Sequence, residues 1–526
     1  MEGLFEVVVF LAVATLGAAL ARKLGLLAPI VLVVAGLVLS FVPGFPHVRL
    51  EPELVLVGIL PPLLYVAALE TSVPAFRHNL RPILLLAVGL VLFTAVAVGL
   101  VLHLLLPAVP FAACLALGAV VAPPDAVAAT AVARRIGLPR RVVTILEGES
   151  LLNDATALVL FRVAVLAAVG SAVGVAEVTR EVLVSAGGGV LIGALGALVF
   201  GFVHKRISDP LLDNALSLII PFAVVFTAEE IHASGVVAVV VTGLALGHKL
   251  PRLLSAASRL QVGAVWRLVR FLLEGLVFLL VGLQLPDVLQ DLDEPAARVV
   301  GLTAAVLGVV IVARFVWLFP VTYLTRLVPR LRRGEAKLAK PAKYPAVVGW
   351  AGMRGVVTLA AALALPLTLA DGAPYPRALF IWLAFAVIVV TLVGQGATLP
   401  AVARRLKLPP DDAVQDALSA AGVQQLASRA ARERLDELAD TAPKPVVNRL
   451  RRAVDDRTNM AWERLGSAER ETPSQAYGRL RQEMIDAERE VFRVARDSGR
   501  IPEEVLVRAY RDLDLEESLL KQEGGE

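Results

Sequence analysis

The sequence predicts an all-α polytopic membrane protein of about thirteen transmembrane helices, followed by a polar helical tail. Three observations predict it. First, 57% of the 526 residues are hydrophobic and 19% are charged, with a mean hydropathy of +0.73; a water-soluble chain is about half apolar and a quarter charged. Second, residues 1–407 carry 32 Lys and Arg against 22 Asp and Glu, whereas residues 408–526 carry 19 against 25. Third, the first part holds thirteen apolar runs, most of them near the roughly 17–25 residues that cross a bilayer. Two domains follow: a membrane domain over 1–407 and a cytoplasmic helical domain over 408–526. A single soluble domain, a collagenous chain and a disordered chain are excluded. The isoelectric point near 9.3 reflects basic cytoplasmic loops, and no nucleic-acid partner is expected. The single cysteine, Cys114, rules out an intrachain disulfide.

The runs fall at about 4–20, 26–42, 53–69, 82–106, 109–133, 142–169, 181–203, 212–231, 234–248, 268–285, 299–325, 345–369 and 377–400. The first does not read as a typical signal peptide, because Glu2 and Glu6 stand where basic residues would. The eighth and ninth are nearly fused. Positive charge then sets direction. Odd-numbered runs are followed by 25 Lys and Arg in all, even-numbered runs only by Arg49, Arg180, Arg298 and Arg377. Cytoplasmic loops hold the excess, so the N-terminus lies outside the cell membrane and the tail lies in the cytoplasm.

Two runs break their own helices. The fifth reads AVVAPPDAVAAT, with Pro123 and Pro124 before Asp125. Two prolines remove two backbone donors, and such a break survives at membrane depth only where protein or water covers it. The twelfth places Gly349, Gly352 and Gly355 around Arg354. Runs five and twelve cross in opposite directions, as corresponding members of two inverted repeats would. Broken helices so related point to a transporter site at the midplane.

The sixth run opens ILEGESLLNDATALVLF. At a rise of roughly 1.5 Å per residue, Asp154 lies about 20 Å beyond Arg141, near the centre of a hydrocarbon core about 30 Å thick. Ser150, Asn153 and Asp154 share one helical face at i, i+3 and i+4. This oxygen-rich cluster suits a hard monovalent cation or a proton, and no thiolate or imidazole set for a transition metal accompanies it. A lone intramembrane acid can be mere glue between helices. Asp154 is read as functional because Asp125, Arg314 and Arg354 also lie in interrupted or central spans. Glu149 is read instead as the structural partner of Arg314 in run eleven. Arg162 snorkels outward; Glu229, Glu230 and His232, near the join of runs eight and nine, fit an outer rim at least as well as a function; Glu274 in FLLEGLVFLLVG stays open between the two readings. No phosphate-binding motif is present, so neither ATP nor a cofactor is expected.

With these residues in place, the sequence resembles the monovalent cation/proton antiporter family 1, the sodium/proton exchangers, and in particular its bacterial branch. GESLLNDA at 148–155 carries the resemblance most strongly. LPPLLYVAALETSV from 60, APPDAVAATAVARRIGLP from 122, SGVVAVVVTGLALG from 234, ARFVWLFP from 313 and WAGMRGVVTLA from 350 support it. RQEMIDAEREVFRVARDSGRIPEEVL in the tail is similar but less specific. The resemblance implies that Asp154 is the ion- and proton-binding carboxylate and that Ser150 supplies a hydroxyl ligand. It makes Asn153 the neighbour typical of electroneutral exchangers. It puts Asp125 and Arg354 where two unwound helices cross, beside Pro123, Pro124, Gly352 and Gly355, and makes Glu149 and Arg314 the core ion pair. A homodimer in the lipid bilayer is expected. The chain departs from the family at two places. Pro124-Asp125-Ala126 stands where Thr-Asp-Pro is common, leaving a carbonyl without the threonine hydroxyl. Val66 stands where some relatives carry an acid, with Glu70 one turn away.

The expected activity is secondary active exchange of a monovalent cation for protons, with Na+ first and K+ or Li+ as alternatives. One buried carboxylate holds a proton or a cation, not both, and the bare charge resists crossing the membrane core. Runs 4–6 and 11–13 would move against the remainder. A passive cation channel is the first rival, separable by its lack of a counter-ion requirement. An intramembrane enzyme is the second, but Ser150 has no nearby base in sequence and Gly-x-Ser-x-Gly is absent. In the tail, Tyr477, Leu480, Met484, Ala487, Val491 and Val494 recur every three or four residues. That pattern fits either a plain helical bundle or a regulatory, dimer-supporting module.

Overall fold

The computed structural model of the chain describes residues 2–46, 51–135, 137–170, 174–290, 292, 294–327, 343–407, 413–463, 465 and 471–524. Arg49 and the basic loop residues between 328 and 342 lie outside the described residues. The chain divides into two compact units, Met1–Pro410 and Asp411–Glu526.

The first unit is built from α1 (Glu2–Leu24), α2 (Ala28–Leu39), α3 (Leu54–Glu70), α4 (Leu80–Leu105), α5 (Phe111–Val121), α6 (Ala126–Arg135), α7 (Arg140–Val169) and α8 (Thr179–His204). It continues through α9 (Pro210–Glu230), α10 (Gly235–Leu253), α11 (Ala256–Leu283), α12 (Ala296–Leu327), α13 (Lys343–Trp350), α14 (Val356–Leu363) and α15 (Arg377–Leu406). Among the described residues, nine helices are long and apolar enough to cross a membrane. Every apolar run of the sequence carries at least one helix. The nearly fused eighth and ninth runs separate cleanly at a turn in which His232 takes a φ of 58°.

Helix limits differ from run limits for physical reasons. α11 begins at Ala256, well before the apolar run at 268, because Ser255 Oγ caps it by accepting from the Ser258 N–H at 3.1 Å. Its first turns are polar yet helical; hydropathy reports the width of the hydrocarbon, not the length of the helix. α4 contains a π turn at Leu85–Leu90, and the Trp317 indole N–H donates to the Leu85 carbonyl there at 3.0 Å.

Small residues let the helices approach. A Cβ on Gly36 of α2 would lie 2.3 Å from the Leu279 carbonyl oxygen, and one on Gly282 of α11 would lie 2.3 Å from that of Val33. In a lipid-facing bundle, such backbone proximity replaces the hydrophobic drive that water supplies elsewhere. One apolar core gathers α4, α5, α7, α12, α14 and α15 around Leu117, Val306, Leu359 and Phe380. A second gathers α3, α9, α10 and the start of α11 around Tyr65, Ile220, Val239 and Trp266.

The second unit holds α16 (Ala413–Glu437), α17 (Lys444–Glu463), α18 (Pro473–Asp497) and α19 (Glu503–Gly524). Thr472 and Gln475 form a reciprocal capping box at the start of α18, and Gly499 takes a φ of 71° in the turn that ends it. The recurring apolar residues of α18 do not mark its buried face: Tyr477, Leu480, Met484, Val491 and Val494 are exposed, while Ile485 is buried. The α18–α19 hairpin is joined instead by Ile485 and by arginines. Arg481 Nε lies 2.6 Å from Glu516 Oε1, and Arg489 Nη2 lies 2.5 Å from Glu517 Oε2. The Arg481 guanidinium holds the Glu516 carboxyl below the usual carboxylate range.

Candidate functional site

Two broken helices meet inside the first unit. α5 stops at Val121 and α6 begins at Ala126, leaving Ala122, Pro123, Pro124 and Asp125 unwound. α13 stops at Trp350 and α14 begins at Val356. The last carbonyls of a helix have no partner within it, and at this depth they need one from the protein. The buried Arg354 supplies it from the other break. Its Nε donates to the Val121 carbonyl at 3.1 Å and its Nη2 to that of Ala122 at 3.4 Å, and its Nη1 donates to the Gly352 carbonyl. A cation at a helix C-terminus also opposes the helix dipole. In the reverse direction, the Asp125 N–H donates to the Met353 carbonyl at 2.6 Å. The Asp125 carboxylate packs on Gly355, the residue before α14, so an anion stands at a helix N-terminus. The Thr391 hydroxyl accepts from the Arg354 N–H at 3.0 Å.

α7 runs past this crossing. Asn153 is fully buried, and its Nδ2 donates to the Pro124 carbonyl at 2.8 Å. The carbonyl left by the missing threonine pattern therefore already has one donor. Asp154, 7% exposed, turns the other way. It lines a cavity of about 660 Å³ together with Ser150, Asp125, Pro123, Pro124 and Gly355. Among the described residues its carboxylate has no hydrogen-bond partner. Asn153, Glu149, Arg314, Arg354 and Gly352 stay outside the cavity lining and hold its frame.

Glu149 sits one helical turn before Asn153, on the side away from the cavity. Arg314 of α12 grips it with both nitrogens: Nη1 donates to Oε1 at 2.6 Å and Nη2 to Oε2 at 2.8 Å. Its Nε donates to the Val348 carbonyl in α13 at 3.1 Å. One guanidinium so ties α7, α12 and the second broken helix in a place that is 1–2% exposed.

Thr130, Thr358 and Thr391 gain a place here that the sequence did not give them. Thr358 and Thr130 also line the cavity, as does Glu70, while Val66 is buried. Thr391 serves the crossing from α15. Helical counting from Gly355 reaches Thr358, but no periodicity links Thr391 to Arg354. Space at the crossing is tight. A Cβ on Gly355 would lie 2.4 Å from Asp125 Oδ2, and one on Gly352 would lie 2.7 Å from Arg314 Cδ. Gly355→Ala is expected to displace the Asp125 carboxylate and lower transport turnover about tenfold, at a stability cost of about 1–3 kcal/mol. Gly352→Ala is expected to lower the melting temperature more than the turnover. Turnover and melting of the two purified variants, measured side by side, check this.

Known proteins can now be set beside this geometry. The model of the sodium/hydrogen exchanger transmembrane family matches residues 9–405. A protein of Mycobacterium tuberculosis named an uncharacterised Na+/H+ exchanger is 36% identical over 533 residues, spanning 98% of this chain and 96% of its own length. The sodium, potassium, lithium and rubidium/H+ antiporter of Bacillus subtilis is 29% identical over 503 residues, spanning 93% of this chain and 74% of its own length. The solved structure of the sodium proton antiporter MjNhaP1 from Methanocaldococcus jannaschii shares the fold, with a TM-score of 0.59 at 19% identity, over 78% of this chain and 99% of that one. The chain belongs to the sodium/hydrogen exchanger family: it is a multi-pass membrane protein that exchanges cations for protons, a transporter and not an enzyme.

Proposed function

We propose that this chain exchanges Na+ for H+ across the cell membrane, one for one, at Asp154. The observation that carries the reading is the Asp154 carboxylate, without a hydrogen-bond partner among the described residues, which shares one cavity with Ser150 and Asp125 at the crossing of two broken helices. Asp154 and Ser150 supply oxygen ligands of the kind a hard monovalent cation takes. At the crossing, Asn153 cannot titrate, Glu149 is neutralised by Arg314 and the Asp125 carboxylate packs at the N-terminus of α14, which supports Asp154 as the group that trades a proton for a cation. Protonated or cation-bound, the site is neutral; bare, it carries a charge that the low-dielectric core disfavours. Only the two loaded forms then cross, and exchange is obligatory.

In this reading the N-terminus faces outward and the tail, 408–526, lies in the cytoplasm. Arg22 and Arg270 line the cavity and belong to the positive charges counted after odd-numbered runs, on the expected cytoplasmic side, which supports a cavity open inward. Leu191, Leu195, Leu198 and Phe202 form an exposed apolar stripe on α8, which supports contact with lipid or with the second subunit of a homodimer. The name of the Bacillus subtilis relative, a sodium, potassium, lithium and rubidium/H+ antiporter, favours a second reading, in which the site also accepts K+ and Li+.

Proteoliposomes with an imposed pH gradient test both. Na+ is expected to collapse the gradient with saturation, and the rate is expected to stay the same when the membrane potential is clamped at zero. Equal rates with K+ and Li+ establish the broader selectivity. Cation flux without counter-moving protons marks a channel and removes the proposal.

A further inference from the structure

α15 meets the second break at two places. It is not a plain helix there: a π turn spans Thr391–Gln395, with α-helical stretches on either side, and such wide turns often mark functional positions. Thr391, at the start of the turn, is fully buried. Its Oγ1 accepts from the Arg354 N–H at 3.0 Å and donates to the Val387 carbonyl at 2.7 Å. The hydroxyl therefore spends its one proton inside α15 and keeps a lone pair for the break. Gly396, just after the turn, makes the second contact. A Cβ there would lie 3.2 Å from Met353 Sδ and 3.0 Å from Ile30 Cδ1 of α2. One unbroken helix thus touches residues 353 and 354 with a hydroxyl and with bare backbone.

The N–H that Thr391 holds sits amid the bonds of the crossing itself. Just before it, the Met353 carbonyl accepts from the Asp125 N–H at 2.6 Å. Just after it, Gly355 carries the Asp125 carboxylate. The Arg354 side chain reaches the Val121 and Ala122 carbonyls. Three consecutive residues so hold the first break, and among the described residues Thr391 is the acceptor for the central N–H. A buried amide that loses its acceptor bears the full desolvation of that group. The segment 353–355 would then shift, and Asp125 with it. Asp125 lines the same cavity as Asp154 and Ser150, and a site selects among similar cations by the geometry of its oxygens. We propose that Thr391 is a positioning residue for cation discrimination: acting through Arg354, it fixes how Asp125 stands to Asp154, and with that the size of ion the site fits. The inference rests on Asp154 as the exchange site. Thr391 itself lies outside the cavity lining.

The test is exchange by the full chain in proteoliposomes with an imposed pH gradient, offered LiCl, NaCl and KCl in turn. For a cation that is not moved, its inhibition constant against Na+ takes the place of KM. Thr391→Val keeps the shape of the side chain and removes the hydroxyl. It is expected to raise KM for Na+ about three- to tenfold and to change the Li+ to Na+ ratio of KM at least about threefold. Thr391→Ser, which keeps the hydroxyl, should hold both within about twofold of the parent. A variant that had only lost stability would lower the active fraction for every cation alike, so KM ratios unmoved in Thr391→Val overturn the inference. Amide hydrogen exchange of the purified chain gives a readout independent of transport. Residues 351–356 should exchange at least about tenfold faster in Thr391→Val than in the parent or in Thr391→Ser; equal rates in all three also overturn the inference. Should Thr391→Val not fold, Thr391→Cys decides. Its thiol is a weak acceptor, so the KM ratio should move beyond that of Thr391→Ser, and a ratio equal to that of the parent removes the proposal. Asp154→Asn in the same assay separates the failures. Exchange surviving there removes the site itself; a dead Asp154→Asn beside unmoved ratios in Thr391→Val removes only the role of Thr391.

Discussion

Asp154→Asn is expected to abolish exchange while leaving the protein at least as stable as its parent. The two halves of that expectation come from different physics. The asparagine amide keeps the size of the carboxyl group but can neither bind a proton near neutral pH nor offset a cation's charge. Neither loaded form can then be made, and cation-dependent proton movement should fall at least about 100-fold, to the leak of the liposome. Stability moves the other way. Asp154 is 7% exposed and has no hydrogen-bond partner among the described residues, so its replacement removes an uncompensated buried charge. A melting temperature equal to or above that of the parent, together with absent exchange, is the result the site requires. Persistent Na+-dependent exchange in a well-folded Asp154→Asn sinks it. In the parent protein, competition for one site adds a second measurable sign. Acidification fills the site with protons, so apparent KM for the cation should rise as pH falls, by up to about tenfold per unit.

How far the sequence leads to this site can be argued from particular residues. Pro123 and Pro124 lack amide hydrogens, and Gly352 and Gly355 lack side chains; both facts are local, and both breaks fall where these residues stand. Counting residues along run six puts Asp154 near mid-membrane for the same reason. What a period or a count cannot supply is which groups satisfy a break once it forms. The carbonyls of Val121 and Ala122 are taken by Arg354, more than two hundred residues away, and the Arg354 N–H is taken by Thr391 of α15. The gathering of Glu70, Arg270 and Glu274 around the cavity depends likewise on how α3 and α11 pack. In the tail, the recurring apolar residues of α18 point away from its partner helix. The face that pairs with α19 is rich in arginine, which an apolar count scores as solvent-facing although its stem and charge make the contact.

Breaking the Glu149–Arg314 pair is expected to have the largest effect on folding. Glu149 and Arg314 are 1% and 2% exposed, with two short hydrogen bonds between them. Removing either partner strands the other charge away from water, at a cost of about 3–5 kcal/mol. That is comparable with the whole stability of a typical domain. Glu149→Gln and Arg314→Gln should each lower the melting temperature in detergent sharply and reduce the yield of monodisperse protein. The charge-swapped double variant, Glu149→Arg with Arg314→Glu, restores opposite charges in the same place and should recover folding in part. Recovery stays incomplete for two structural reasons. The glutamate at 314 cannot donate to the Val348 carbonyl, which the native Nε reaches at 3.1 Å. The glutamate also places its carboxylate where the apolar Cδ of Arg314 lies against Gly352, so α13 loses its brace to α12. A double variant no better than either single variant would show that the pair does not hold α7 to α12. Partial recovery of folding without recovery of exchange would separate the two duties of Arg314: neutralising Glu149, and holding the second broken helix against α12.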